Sequence, residues 1–347
     1  MKTLKIQFLR SAAAYQLPRA ILSVALLATC GLAISADDLV VEKKPLSVEL
    51  VGTMNKLSGG PHPGYRANHA KGVVVEGLFT PSPSAATLSK APHFAKTKTP
   101  VIVRFSNGTG VPALPDANSN ASPHGVAIRF NLPGGATTDI VSISANSFPV
   151  STPEDFLGLL QAISQSGPTA TKPTPIEQFL GSHPAAAKWV STPRPAPDSF
   201  GTLAFYGVNA FKFTNAKGLA RYARYQILPV DGEHSLSPDD AAKATPNYLM
   251  DELPARIAKG AVKFRLLAQV AKDGDPTDDA TIAWPADRQM IELGVISLTK
   301  TAKDQVETQR ALLFNPVALP VGIEPSADPV LLARFPAYAV SFGQRAK

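Results

Sequence analysis

Arg334 and Tyr338 stand four residues apart in the segment Asp328-Pro-Val-Leu-Leu-Ala-Arg334-Phe-Pro-Ala-Tyr338. If Asp328 caps a helix with Pro329 at its first position, that spacing puts guanidinium and phenol on one face, within reach of each other. A tyrosine phenol titrates at about 10, so its anion is scarce at neutral pH unless a cation holds it. A neighbouring guanidinium can do so, and a ferric ion does it more strongly. The pair reads either as a phenolate metal ligand with its own counter-charge or, more plainly, as an amphipathic tyrosine at a helix end.

The histidines narrow the chemistry further. His62, His69, His93, His124, His183 and His234 form neither an HxxxH nor an HExxH pair, so a zinc hydrolase is unsupported. His69 lies immediately before a strand-like run, in Tyr65-Arg66-Ala-Asn68-His69-Ala-Lys71-Gly72. Alone, a histidine there is ordinarily structural. The single cysteine, Cys30, sits within the first 36 residues. A chain matured past it has no disulfide, no thiolate ligand and no thioether attachment for a prosthetic group.

The elements that must position these residues follow from hydrophobic period. Strand-like runs cover 71–79, 100–105, 125–131, 139–144, 219–228, 261–271 and 290–299. The clearest alternates Val262, Phe264, Leu266, Ala268 and Val270 with Lys263, Arg265 and Gln269, as an antiparallel strand with one wet face does. Thr152-Pro153-Glu154-Asp155 opens a helix carrying Phe156, Leu159, Leu160 and Ile163, and a second is expected from Pro246 to Lys259, stopped by Gly260. Residues 165–200 read as a wrapping loop with short helices, because Phe179 and Trp189 would be costly to expose in a tether. Residues 37–60, polar and glycine-tipped, read as an N-terminal arm. Strands, mid-chain helices, strands again and a terminal helix predict an α+β domain over 61–347 built on an antiparallel β-barrel with surrounding helices.

Three segments resemble haem catalases. Phe314-Asn-Pro, Pro320-Val-Gly322-Ile-Glu324-Pro-Ser326 and the Arg334/Tyr338 run are similar to the proximal segment of that family, in which the tyrosine binds the haem iron. Arg66-x-x-His69-Ala-Lys71-Gly72 resembles the distal segment, and Thr99-Pro100-Val-Ile-Val-Arg104-Phe-Ser106 the strand whose serine meets the distal histidine. Further likeness at Ser122-Pro-His-Gly125, Asn215-Ala-Lys-Gly218, Asp231-Gly232 and Ile282-Ala-Trp284-Pro285 extends it from about residue 60 to 345. The resemblance implies a catalase-like barrel and haem b, with His69 and Ser106 in catalysis and Tyr338 on iron beside Arg334. It implies Arg66, Arg104 and Arg345 on the haem propionates, three cations that suit two planar carboxylates. It also implies a distal asparagine. Counted from Asp139 without a gap that place falls on Ile143, and a shifted alignment gives Asn146. Asn68 stands where catalases have a valine over the haem.

The likeness is to the compact, catalase-related peroxidase branch. Its implied reaction is reduction of hydrogen peroxide, or organic hydroperoxides, by a small organic donor, with weaker catalase turnover. A haem carrier with little turnover is the rival, and a relative that rearranges lipid peroxides is a third reading. Residues 1–36 carry Lys2, Lys5, Arg10 and Arg19, then the apolar run Ile21–Ile34, then Ser35-Ala36, the pattern of a secretory signal peptide cut after Ala36. The protein is therefore expected in the periplasm or outside the cell, without a membrane anchor and as a monomer or small homo-oligomer. The formal charge of +7 falls to about +3 once the four leader cations are removed, which calls for no nucleic acid.

Overall fold

The computed structural model describes residues 44–345, so the expected leader, its cleavage site and the start of the arm lie outside the described residues. The alternation in 262–270 is realised: Val262, Phe264, Leu266, Ala268 and Val270 all enter one apolar core. Ten strands repeat the pattern, β1 (Gly72–Pro81), β2 (Thr99–Ser106), β3 (Gly125–Asn131), β4 (Thr137–Ile143), β5 (Phe205–Tyr206), β6 (Phe211–Thr214), β7 (Ala220–Pro229), β8 (Val262–Val270), β9 (Met290–Thr301) and β10 (Ile323–Pro325). Their ladders are antiparallel. The order β7-β5-β4-β3-β2-β1-β9-β8 closes because β8 pairs back onto β7, which leaves an eight-stranded barrel with β6 and β10 appended. Closure removes the sheet edges that would otherwise invite pairing with other chains.

The barrel interior is solid. Phe79, Phe105, Phe130, Phe205, Phe213 and Phe264 are among its fully buried side chains, each contributing about 1.5–3 kcal/mol of burial. With the inside filled, chemistry is left to the outer surface. On β2 the inward residues are Val101, Val103 and Phe105, and the alternate positions Arg104 and Ser106 face out. Both are nonetheless buried, because helices cover that face.

The helices are α1 (Leu46–Leu57), α2 (Ala85–Leu88), α3 (Pro153–Gln165), α4 (Pro175–Ser182), α5 (Pro184–Ser191), α6 (Pro238–Lys243), α7 (Tyr248–Lys259), α8 (Gln305–Ala311) and α9 (Pro329–Arg345). Proline opens five of them, where its missing N–H costs nothing. Thr152 Oγ1 accepts from the Asp155 amide at 3.1 Å to cap α3, and a Thr174/Glu177 capping box starts α4. Asp328 Oδ1 accepts from the amides of Val330 and Leu331 and so fixes the start of α9. Gly260 does end α7, but in extended backbone and not in a left-handed turn.

One expectation is corrected. Residues 46–57 are not an arm: Leu46, Leu50, Met54 and Leu57 recur at helical spacing, and Leu50 and Val51 are buried where α1 packs on α3 and α9. Interleaved Glu49, Asn55 and Lys56 gave the segment its polar look. The strands β5, β6 and β10 were not foreseen either, since two to four residues carry too little alternation to show a period.

Candidate active site

A largely apolar cavity lies between the outer face of β2, β3 and β4 and the helices α1, α3 and α9. Val126, Ala127, Val141, Ile143, Phe148, Phe156, Phe314 and Ala337 form much of its wall, and His69, Ser106, Arg334 and Tyr338 also line it. Residues about 270 positions apart in sequence are thus brought to one hollow.

His69 has a φ of +54°, the one non-glycine residue with positive φ among the described residues. Such backbone costs on the order of 1–3 kcal/mol and persists only where its surroundings hold it. Here they do. The Ala70 amide donates to the Thr109 carbonyl at 2.9 Å, Arg104 Nη2 donates to the Ala70 carbonyl at 2.9 Å, and the Ala67 amide donates to Ser341 Oγ at 3.1 Å. The imidazole is then set by Ser106, whose Oγ lies 3.1 Å from Nδ1. Burial first, and the Arg104 cation second, push this histidine down to about 3, so its ring is neutral at physiological pH. With Nδ1 engaged by Ser106, Nε2 has no hydrogen-bond partner among the described residues.

Gly125 makes room for this ring. A Cβ there would fall 2.8 Å from His69 Nδ1 and 2.9 Å from Ser106 Oγ. Gly125→Ala is therefore expected to push the imidazole off Ser106 and, in the peroxide reaction that the sequence resemblance implies, to slow the first step by at least about tenfold, since misplacing a reacting group is costly in rate. Rapid-mixing kinetics on a variant with an unchanged circular dichroism spectrum checks this, and an unaltered rate would contradict it.

Tyr338 is held from its own helix. Arg334 donates to the phenolic oxygen through both Nε at 3.0 Å and Nη2 at 2.9 Å. The guanidinium is itself fixed, donating to Asn209 Oδ1 at 2.9 Å and to the Val141 carbonyl at 3.2 Å, while Asn209 donates to Asp328 at 2.7 Å. The residue that caps α9 thus anchors the chain that orients the tyrosine. Two accepted hydrogen bonds fill both lone pairs of a phenol, whereas a phenolate keeps one for a metal.

The three remaining arginines form a cluster without a counter-ion. Arg66 and Arg345 both donate to the Leu312 carbonyl, and Arg104 donates to Gln309 Oε1 and the Ala70 carbonyl. None of them makes an ion pair among the described residues. Burial and mutual repulsion lower the basicity of Arg66 and Arg104, and burial lowers that of Arg345. Guanidinium keeps its proton in proteins, so the relief has to come from an anion.

That donor set fits haem: one phenolic oxygen for iron, two buried cations and the half-buried Arg66 for two propionates, and an apolar wall for the macrocycle. The expected Asn146 is not part of it. Asn146 lines a second hollow, and Ile143 faces the cavity that contains His69. β4 runs unbroken through Ile143, which opposes Gly125 and lines the cavity beside His69. Asn209 escaped the sequence reading altogether. A lone asparagine between short strands gives no signal of its role.

The sequence profile of the catalase family matches residues 63–346. The chain belongs to the catalase family. It is 37% identical over 287 residues to the catalase-related peroxidase of Mycolicibacterium paratuberculosis, covering 82% of this chain and 90% of that one. It is 33% identical over 293 residues to the catalase-related peroxidase of Synechococcus elongatus, covering 83% and 85%. Among solved structures, catalase A from Saccharomyces cerevisiae superposes with a TM-score of 0.72 at 23% identity, covering 81% of this chain and 61% of that one, which shows the shared fold. The catalase-like barrel with surrounding helices is therefore the architecture expected from the sequence.

Proposed function

We propose that the chain is a haem-dependent peroxidase that reduces hydrogen peroxide, or an organic hydroperoxide, with a small organic donor, and that its catalase turnover is the weaker activity. A single observation carries this reading: a neutral, serine-oriented imidazole and an arginine-held phenol line one cavity. Haem, when bound, supplies the redox-active iron that cleaves the O–O bond and takes up electrons one at a time. The rest falls to the chain. His69 Nε2 accepts a proton from one peroxide oxygen and returns it to the other, so the second leaves as water and not as hydroxide. Ser106 keeps that nitrogen aimed at the cavity, and burial, with the Arg104 charge second, keeps the ring unprotonated. Tyr338 offers an anionic oxygen to iron, with Arg334 holding its charge. Arg66, Arg104 and Arg345 would bind the propionates. Haem b suits a chain whose single cysteine lies in the expected leader, because the group is then held by side chains alone.

Catalase turnover requires a second peroxide to be oriented in the same hollow, whereas donor oxidation requires only electron access. Ile143 presents no hydrogen-bonding group there, which disfavours the former. The deciding experiment compares oxygen evolution with oxidation of 2-methoxyphenol at one peroxide concentration. Donor oxidation should exceed oxygen evolution. Vigorous oxygen evolution with negligible donor oxidation would overturn the assignment, and neither activity in haem-replete protein would favour a carrier.

The leader pattern supports export to the periplasm or beyond. The mature protein should begin near Asp37. N-terminal sequencing of protein from the producing cell checks this, and an intact Met1 would contradict it.

A further inference from the structure

Asn68 and His69 are consecutive residues, and both line the haem cavity. In an extended chain two such side chains would point to opposite faces. The φ of +54° at His69 breaks that alternation and lets the pair share one hollow. The strained backbone thus brings an amide to the cavity beside the imidazole.

That amide is uncommitted. Asn68 is half-buried, and its side chain makes no hydrogen bond to another described residue. Asparagines with structural duties elsewhere do make them. Asn215 Oδ1 accepts from the amides of Lys217 and Leu219, Asn315 Oδ1 accepts from the Val317 amide, and Asn209 joins Arg334 to Asp328. The polar side chains that share the cavity with Asn68 are engaged: Ser106 with His69, Ser341 with the Ala67 amide, Arg334 with Tyr338, and Arg66 and Arg345 with the Leu312 carbonyl. Ser142 Oγ lacks a partner but is sealed from solvent. Tyr206 also lines the cavity, though from further off. Ile143 opposes both Gly125 and Tyr206, and neighbouring strands lie about 4.8 Å apart, which puts Tyr206 about 10 Å from the glycine against which the imidazole packs. Beside His69 the uncommitted polar side chain is therefore Asn68, and Val126, Ile143, Phe148 and Phe156 leave the wall otherwise apolar.

A peroxide in this hollow calls for such a group. Once Nε2 has taken a proton from one peroxide oxygen, that oxygen holds negative charge until the O–O bond breaks, and an apolar wall does nothing to stabilise it. An amide N–H aimed at developing charge does, and removing one such donor costs on the order of 10²–10³ in rate. We propose that Asn68 is a catalytic residue of this chain, whose Nδ2 donates a hydrogen bond to the deprotonated peroxide oxygen and fixes the O–O axis for the return of the proton from His69. The inference rests on the haem-peroxidase reading above. No atom and no electron passes through Asn68: the proton moves from the first oxygen to Nε2 and from there to the second, which leaves as water.

Fluoride is the probe for the resting, haem-loaded protein, because it is a small anion that binds ferric iron and accepts hydrogen bonds without reacting. Asn68→Leu removes the donor at similar size, and Asn68→Gln keeps it. Optical titration should show fluoride bound about tenfold more weakly by Asn68→Leu than by the unaltered protein, with Asn68→Gln between the two. The rate constant for the first reaction with hydrogen peroxide should fall about 10²-fold in Asn68→Leu and less in Asn68→Gln. Haem content and the thermal unfolding midpoint should not change, since no hydrogen bond within the fold is lost. Undiminished fluoride affinity in Asn68→Leu, or an Asn68→Gln protein no better than Asn68→Leu, would overturn the proposal. Loss of haem or a lowered unfolding midpoint in Asn68→Leu would assign the amide a structural duty and overturn it as well. If the unaltered protein binds haem and fluoride but ignores peroxide, the peroxidase reading fails, while the titration still decides whether Asn68 is a donor. A protein that takes up no haem would overturn both.

Discussion

Replacing His69 by alanine is expected to slow the reaction with peroxide by about 10²–10⁴-fold, the usual contribution of a positioned general acid–base. Donor oxidation and oxygen evolution should fall together, since both begin with the same proton transfer. The prediction has a pH signature. His69 must be unprotonated to act as the base, and burial with the Arg104 charge pushes it down to about 3. The neutral form therefore persists well below the range of an exposed imidazole. The rate constant for the first step should stay level from pH 8 down to about 5 and decline only on approach to about 3, where an unshifted histidine would already have lost activity near 6.5. Rapid-mixing kinetics across this range, on the unaltered protein and on His69→Ala, provide the check. A midpoint near 6.5, or a His69→Ala protein of undiminished rate, would place the base elsewhere.

Tyr338→Phe is expected to strip most of the haem or change its spin state while leaving the fold intact. The substitution keeps the ring that lines the cavity and removes only the oxygen. Two guanidinium N–H groups then lose their acceptor, although Asn209 and the Val141 carbonyl still hold the remaining ones. The local cost of about 1–3 kcal/mol for such a loss is too small to unfold the barrel by itself. Arg334→Leu should act in the same direction but more mildly, since it leaves the ligand in place and removes its counter-charge. Haem content per protein, the optical spectrum and far-ultraviolet circular dichroism separate the two effects. A Tyr338→Phe protein with normal haem content and spectrum would mean that another side chain binds the iron.

Much of this site could be read before any coordinates. The Asp328, Pro329, Arg334 and Tyr338 spacing contains a helix start, its cap and one helical face, so the local chain alone dictates the contact that α9 displays. The alternation of β8 likewise follows from a filled interior and a wetter exterior. What could not be read depended on partners far away in sequence. Helix α1 hides its apolar stripe among polar residues, and only α3 and α9 show which side is buried. The two-residue β5 has no period of its own and exists because β4 and β7 flank it. Asn209 gains its role from Arg334 and Asp328, more than a hundred positions away. Asn146, which a shifted alignment gives, borders the second hollow and not the cavity of His69. Strand register is a stricter guide: one step along β4 changes the face a side chain meets, and it is Ile143 that reaches the cavity.

The optical spectrum of the purified, haem-loaded protein, recorded before and after one equivalent of hydrogen peroxide and again after 2-methoxyphenol, tests the central claim most directly. It reports the presence of haem, the character of its ligand and its reactivity in one sample. The account predicts a ferric haem band with phenolate character that shifts within the mixing time and returns once the donor is added. A band that peroxide leaves unchanged, or a spectrum showing imidazole and not phenolate on the iron, would contradict it.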